Sequence, residues 1–159
     1  MIHLRKQSGF TLIETLIYLG LFGLLIGGGV LAAFNIIEGT NRNQAQIMLT
    51  EEGNFLLAKI NWSLSSAATI TVPTPDHLLV TAVGGATTEY QLSSSDMSLT
   101  TSATSYTLSN SNVKVSNLVF DHQATSGSES VKSSFTLSSN TSDGKLVSQD
   151  FSSSKFIRR

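Results

Sequence analysis

An α+β fold is predicted: a long N-terminal helix, transmembrane in its first half and amphipathic in its second, packed on a C-terminal antiparallel β-sheet domain. Three observations predict it. Residues 15–34 are 20 consecutive uncharged and mostly apolar residues. As a helix such a stretch spans about 30 Å, the hydrocarbon thickness of a bilayer. Between residues 38 and 66 apolar side chains recur three, four or seven apart, the signature of one helix face. After Ala68 the period drops to two, and Gly, Pro and Asn punctuate short alternating runs.

Residues 1–9 form a short polar head that contains Arg5 and Lys6. Residues 10–37 then carry one charge, Glu14, and make the expected membrane helix. Positive charge ahead of a span holds that end in the cytoplasm, so the rest of the chain is expected outside. Residues 38–68 continue the helix, with Ala45, Met48, Leu49, Leu56, Ile60 and Leu64 on its apolar face. No proline interrupts residues 1–72, so a single helix is expected from residue 10 to about 66. Gly39 and Gly53 weaken it by about 1 kcal/mol each relative to Ala. Trp62 is expected to pack under the sheet.

Residues 69–159 form the expected β domain. Residues 72–76, Val-Pro-Thr-Pro-Asp, read as a turn. Strands are expected at 77–83, 87–93, 97–101, 105–109, 113–121, 130–138 and 145–151, and residues 156–159 read as a last edge strand with a charged end. Gly84-Gly85 is a hairpin signal; residues 110–112, 126–128 and 140–144 are the later turns. Alternation points Leu78, Val80, Tyr90, Leu92, Tyr106, Leu108, Val113, Val115, Leu118, Phe120, Phe135 and Leu137 inward. So thin a core gains by packing on the apolar face of the second half-helix.

Composition narrows the function. The formal net charge is −1, which creates no basic field for nucleic acid. Cysteine is absent, which removes disulfides and thiolate chemistry. Charged residues are only 13% of the chain, while 34 Ser and Thr lie between residues 67 and 159. A surface solvated by hydroxyls suits an exported domain. His77 and His122 each follow an aspartate, a pattern that in principle serves a metal or an acid–base couple. Both dipeptides fall at predicted strand ends, where Asp and His are ordinary turn residues. Neither a metal nor a cofactor is expected. No nucleophile elbow, phosphate loop or zinc-protease motif occurs, so no enzyme is expected. Asn61-Trp62-Ser63 and Asn140-Thr141-Ser142 match the glycosylation acceptor pattern.

Glu14 is the residue the membrane reading leaves unexplained. A secretory signal peptide has a shorter apolar core, and a plain signal anchor has no use for a carboxylate at this depth. Arg5-Lys6-Gln7-Ser8-Gly9-Phe10-Thr11-Leu12-Ile13-Glu14, running straight into the apolar helix, resembles the N-terminal signal of type IV prepilins and type II secretion pseudopilins. The resemblance covers the N-terminal third; the β-rich remainder is similar to the family only in its pilin-like architecture.

The resemblance implies that a membrane-embedded prepilin peptidase cuts between Gly9 and Phe10, and that Phe10 becomes N-methylated. It implies a filament assembled from other pilin or pseudopilin subunits by an inner-membrane assembly platform with a cytoplasmic ATPase. It also implies a role for Glu14: the new amine on one subunit's Phe10 pairs with the Glu14 carboxylate of a neighbour. The stretch VKVSNLVFD is similar to that of some minor subunits, and the presence of Glu14 departs from the tip-capping type. Gly23 and Gly27 form a GxxxG pair, which permits close helix approach in lipid. Gly27–Gly29 are expected to be the softened point of the helix in a filament. The alternative is a signal-anchored extracytoplasmic binding domain outside any filament, which would need neither Gly9-Phe10 nor Glu14.

Overall fold

The computed structural model describes residues 10–125 and 128–158. The polar head, residues 1–9, lies outside them, as do two of the three residues of the expected turn at 126–128. The chain divides into two compact units, Met1–Thr40 and Asn41–Arg159. One helix, α1, runs Leu12–Ser65 without a break, through Gly27–Gly29 as well.

In the first unit α1 is apolar on every side, and every described residue up to Thr40 is exposed except the half-buried Glu14. Phe10, Leu12, Leu19, Leu24, Leu25 and Leu31 each expose more than two thirds of their area. Such a helix is stable only against lipid or other apolar partners. By length and composition it can cross a membrane.

In the second unit the period of α1 becomes a true face. Ala45, Leu49, Leu56, Ile60 and Leu64 are buried, with Met48 partly so. They pack on two antiparallel meanders. The first holds β1 (Ala67–Thr74), β2 (His77–Ala82), β3 (Thr87–Ser93), β4 (Asp96–Thr101) and β5 (Thr104–Thr107) in sequence order. The second holds β6 (Lys114–Thr125), β7 (Ser128–Asn140) and β8 (Leu146–Arg158). β6 closes on one end of the first sheet: the Val115 amide donates to the Ser95 carbonyl at 2.7 Å, and the Phe120 amide to the Pro75 carbonyl at 2.6 Å. Leu78, Val80, Tyr90, Met97, Val113, Val115, Leu118, Phe120, Phe135 and Leu137 join the core, as do Val131, Val147, Phe151 and Ile157.

Several expectations need correction. Residues 72–74 are not turn but the end of a strand, β1, that was not anticipated. Ile70 is buried and Val72 half-buried along it, and Pro73 is tolerated because β1 is a sheet edge. The turn itself narrows to Pro75-Asp76. The two expected C-terminal strands are one, because β8 pairs with β7 continuously from Leu146 to Arg158. Tyr106 is not inward; β5 is a four-residue edge strand exposed throughout, and Tyr106 stands 58% exposed. Leu92 and Leu108 are only half-buried against the core. Trp62 is not under the sheet but 69% exposed. At 100° per residue it lies about 160° around the helix from Ile60 and Leu64, which face the core.

Polar ties fix the second half of α1 to both sheets. The Thr50 hydroxyl donates to Gln149 Oε1 at 3.2 Å, the Asn61 amide to Ser153 Oγ at 3.0 Å, and the Asn110 amide to Glu52 Oε1 at 2.8 Å. Buried Tyr90 donates its hydroxyl proton to the Lys59 carbonyl at 3.0 Å, so the 2.6 Å contact with Ser63 has serine as donor. Burial is the main cause raising the Tyr90 pKa above 10.0, and the Ser63 bond offsets it in part. A raised folded-state pKa stabilises fully below the unfolded value and is lost as pH rises through the folded one. Unfolding of the wild type is therefore expected to become easier from about pH 10 upward, the ordinary tyrosine range. Tyr90→Phe should cost about 1–2 kcal/mol at neutral pH and flatten that alkaline decline. Denaturant unfolding of the two proteins at neutral and alkaline pH checks both.

Candidate functional site

The first turn of α1 is built around Thr11 and Glu14. Thr11 precedes the helix and acts as its cap. Its Oγ1 accepts from the Glu14 amide at 3.4 Å, and Glu14 Oε2 accepts from the Thr11 amide at 3.5 Å. This reciprocal pattern is a capping box, which satisfies amides that the first helical turn leaves without partners. One turn later the Tyr18 hydroxyl donates to Glu14 Oε1 at 3.3 Å. The Tyr18 ring in turn meets Phe10 edge-on, with centroids 6.2 Å apart.

Glu14 therefore has more than one reason to be a carboxylate. As an acid in the first turn it complements the positive end of the helix dipole. Each of its oxygens receives one long hydrogen bond from its own chain. A carboxylate offers about four acceptor positions, so capacity remains for a cation. The sequence reading found the acid and missed its local use. The signal was present as Thr11-Leu12-Ile13-Glu14, a threonine followed three residues later by a glutamate at the head of an apolar run.

Phe10 is exposed at the start of the described chain; Gly9 lies outside the described residues. A Cβ on Gly23 or Gly27 would meet no atom within 4 Å. Among the described residues, nothing requires glycine at those two positions.

The histidines take ordinary places. His77 Nε2 sits 2.6 Å from Glu89 Oε1, and His122 Nε2 sits 3.7 Å from Glu129 Oε2. Each is a diagonal cross-strand contact, the first on β2 and β3, the second on β6 and β7. The two Asp-His dipeptides thus belong to different sheets. The Thr74 hydroxyl donates to Asp76 Oδ1 at 2.7 Å and holds that carboxyl below its usual range, the mark of a turn aspartate. Among the described residues no group of three or more His, Cys, Asp or Glu is placed to hold a metal.

Comparison with known proteins points to the same segment. A family model described as the prokaryotic N-terminal methylation motif matches residues 4–30. No curated protein and no solved structure matches the chain. The matched residues include Gly9, Phe10, Glu14, Gly23 and Gly27 and stop short of the β-sheet unit. The chain carries the prepilin-type signature, a prokaryotic N-terminal methylation motif set at the head of a long apolar helix that leads into antiparallel sheets.

Proposed function

We propose that the chain is a structural subunit, a minor pilin or minor pseudopilin, of a type IV pilus or type II secretion-like filament. The methylation motif supports a pilin- or pseudopilin-like precursor, and a structural role rather than an enzymatic one. The observation that carries the proposal is the placement of that motif on the first half of α1, whose apolar side chains up to Thr40 are all exposed among the described residues.

In this reading the precursor waits in the inner membrane with its N-terminus in the cytoplasm and its sheet unit outside. Prepilin peptidase cuts between Gly9 and Phe10, and Phe10 is N-methylated. Extraction by the assembly platform, driven by its cytoplasmic ATPase, brings the apolar helices of neighbouring subunits together. The charged amine of one subunit's Phe10 then pairs with the Glu14 carboxylate of the next. In a low dielectric either charge alone is costly, so the pair specifies register more than it adds net stability. The side-chain-free surface at Gly23 and Gly27 lets a neighbouring helix approach closely. Gly27–Gly29, helical in the single chain, form the most easily unwound stretch, since three glycines cost roughly 3 kcal/mol of helix propensity relative to alanine.

The test is the intact mass and N-terminal sequence of membrane-extracted protein, made with and without prepilin peptidase. A mature chain beginning at N-methyl-Phe10, with Gly9→Val left at full length, is the expected result. A chain still starting at Met1 beside an active peptidase would overturn the reading and leave a signal-anchored domain.

A further inference from the structure

The Asn41–Arg159 unit contains a cavity of about 280 Å³ between the last turns of α1 and strands β2, β3 and β4. Its chemistry is selective. Trp62 forms one wall and is 69% exposed, although tryptophan is a large side chain usually well buried. Thr88 and Thr101 line it from directly opposed positions on β3 and β4. Neither hydroxyl has a hydrogen-bond partner among the described residues. Lys59 also lines the cavity, and its ammonium stands over the Trp62 ring, 5.8 Å from the centroid. That is near the outer limit of a cation–π contact, and no carboxylate neutralises Lys59 among the described residues. Val80, Ala82, Ala86 and Leu99 supply aliphatic wall, and Ser63, Ser66 and Tyr90 complete the lining.

We propose that this cavity binds a single acidic sugar ring, a hexuronate residue of a polysaccharide. A pyranose presents an apolar C–H face, which suits the exposed indole. Its edge carries hydroxyls in fixed positions, which suit the two unengaged threonines. Its carboxylate matches the Lys59 ammonium, which has no carboxylate partner among the described residues, in charge. A mostly apolar wall with a few placed polar groups is the general form of a small-ligand site. The volume falls just below the usual range of about 300–1,000 Å³ for such sites, which limits the occupant to one ring. A neutral apolar side chain would leave Lys59 and both hydroxyls unused; a bare anion would leave the indole unused. The proposal does not depend on the filament reading, because every group it uses lies in the sheet unit and the helix turns packed on it.

Trp62 is the only tryptophan in the chain, so its fluorescence reports on this cavity alone. The full chain is held in zwitterionic detergent micelles, since maltoside detergents carry sugar headgroups that would compete. Methyl β-D-glucuronide is titrated, with methyl β-D-glucoside and acetate in parallel. A saturable shift of Trp62 emission is expected with the glucuronide, half-complete at about 1–10 mM, the affinity of few contacts. The glucoside should bind at least about fivefold more weakly for want of the charge-assisted bond, and acetate should give no saturable change. Lys59→Met should reduce the glucuronide to the glucoside's affinity. Thr88→Val with Thr101→Val preserves shape and strand propensity, and should weaken both sugars about tenfold through the lost hydrogen bonds. Unchanged far-ultraviolet circular dichroism establishes that the variants are folded. No saturable change with the glucuronide, an equal response to acetate, or a response indifferent to the double threonine variant would each overturn the proposal.

Discussion

Glu14→Gln is expected to abolish incorporation into filaments while leaving the start of α1 intact. Glutamine serves as well as glutamate at the third position of a capping box. Its side-chain oxygen still accepts from the Thr11 amide or the Tyr18 hydroxyl, which now bond the carboxylate. What the substitution removes is the charge. If Glu14 receives a neighbour's N-terminal ammonium in an apolar setting, that ammonium is left alone. Breaking a buried ion pair from one side costs about 3–5 kcal/mol, or roughly 10²- to 4 × 10³-fold in an association constant. Filament yield by sedimentation is the readout, with membrane content and peptidase processing measured beside it. Both of these should match the wild type. Glu14→Ala loses the cap as well and should assemble no better. Wild-type filament yield from Glu14→Gln, with assembly impaired only in Glu14→Ala, would reduce the residue to a helix cap.

Gly53→Leu should destabilise the sheet unit by about 3 kcal/mol or more, at the upper end of overpacking effects. Gly53 is buried on the core face of α1. A Cβ placed there would overlap the Phe151 ring. That ring cannot easily retreat, because it stacks on Phe135 with centroids 5.6 Å apart and an interplanar angle of 22°. Phe135 is itself 2% exposed. Leucine has a better helix propensity than glycine by nearly 1 kcal/mol, so a net loss isolates the packing conflict. Gly39 supplies the opposite sign. A Cβ there meets nothing within 4 Å, and Gly39→Leu should leave stability unchanged or raise it by up to about 1 kcal/mol. Denaturant unfolding in micelles, followed by near-ultraviolet circular dichroism, separates the two. Phe151→Ala opens a cavity and alone costs about 3–5 kcal/mol. Combined with Gly53→Leu it should cost much less than the sum, the mark of two residues sharing one space. Strict additivity would show that the leucine finds room elsewhere.

The two sites were legible in the sequence to different degrees. The segment around Glu14 is contiguous, so ten consecutive residues and the helix after them carry its chemistry. The sugar cavity draws on α1, β2, β3 and β4. Its components read one by one as a helix tryptophan, a solvated lysine and two strand threonines. No spacing rule joins Trp62 to Thr88 and Thr101; only the folding of β3 and β4 against α1 does.

The same division runs through the fold. The sequence by itself determined the long helix, the change from helical to alternating period near Ala68, and which face of α1 is apolar. These depend on residues within a few positions of one another. It placed most of the inward residues for the same reason, since alternation assigns faces within a strand. The tertiary structure decided what the local pattern leaves open. It made β1 a strand because β2 was there to pair with it, and it joined residues 145–151 and 156–159 into β8 because β7 runs alongside the whole length. It left Tyr106 outside because no described residue covers β5. It turned Gly53 from a weak helix residue into a required one because Phe151 arrives from nearly a hundred residues away. Periodicity states which side of an element is apolar; only the partner that comes to lie against that side decides whether it is buried, and how closely.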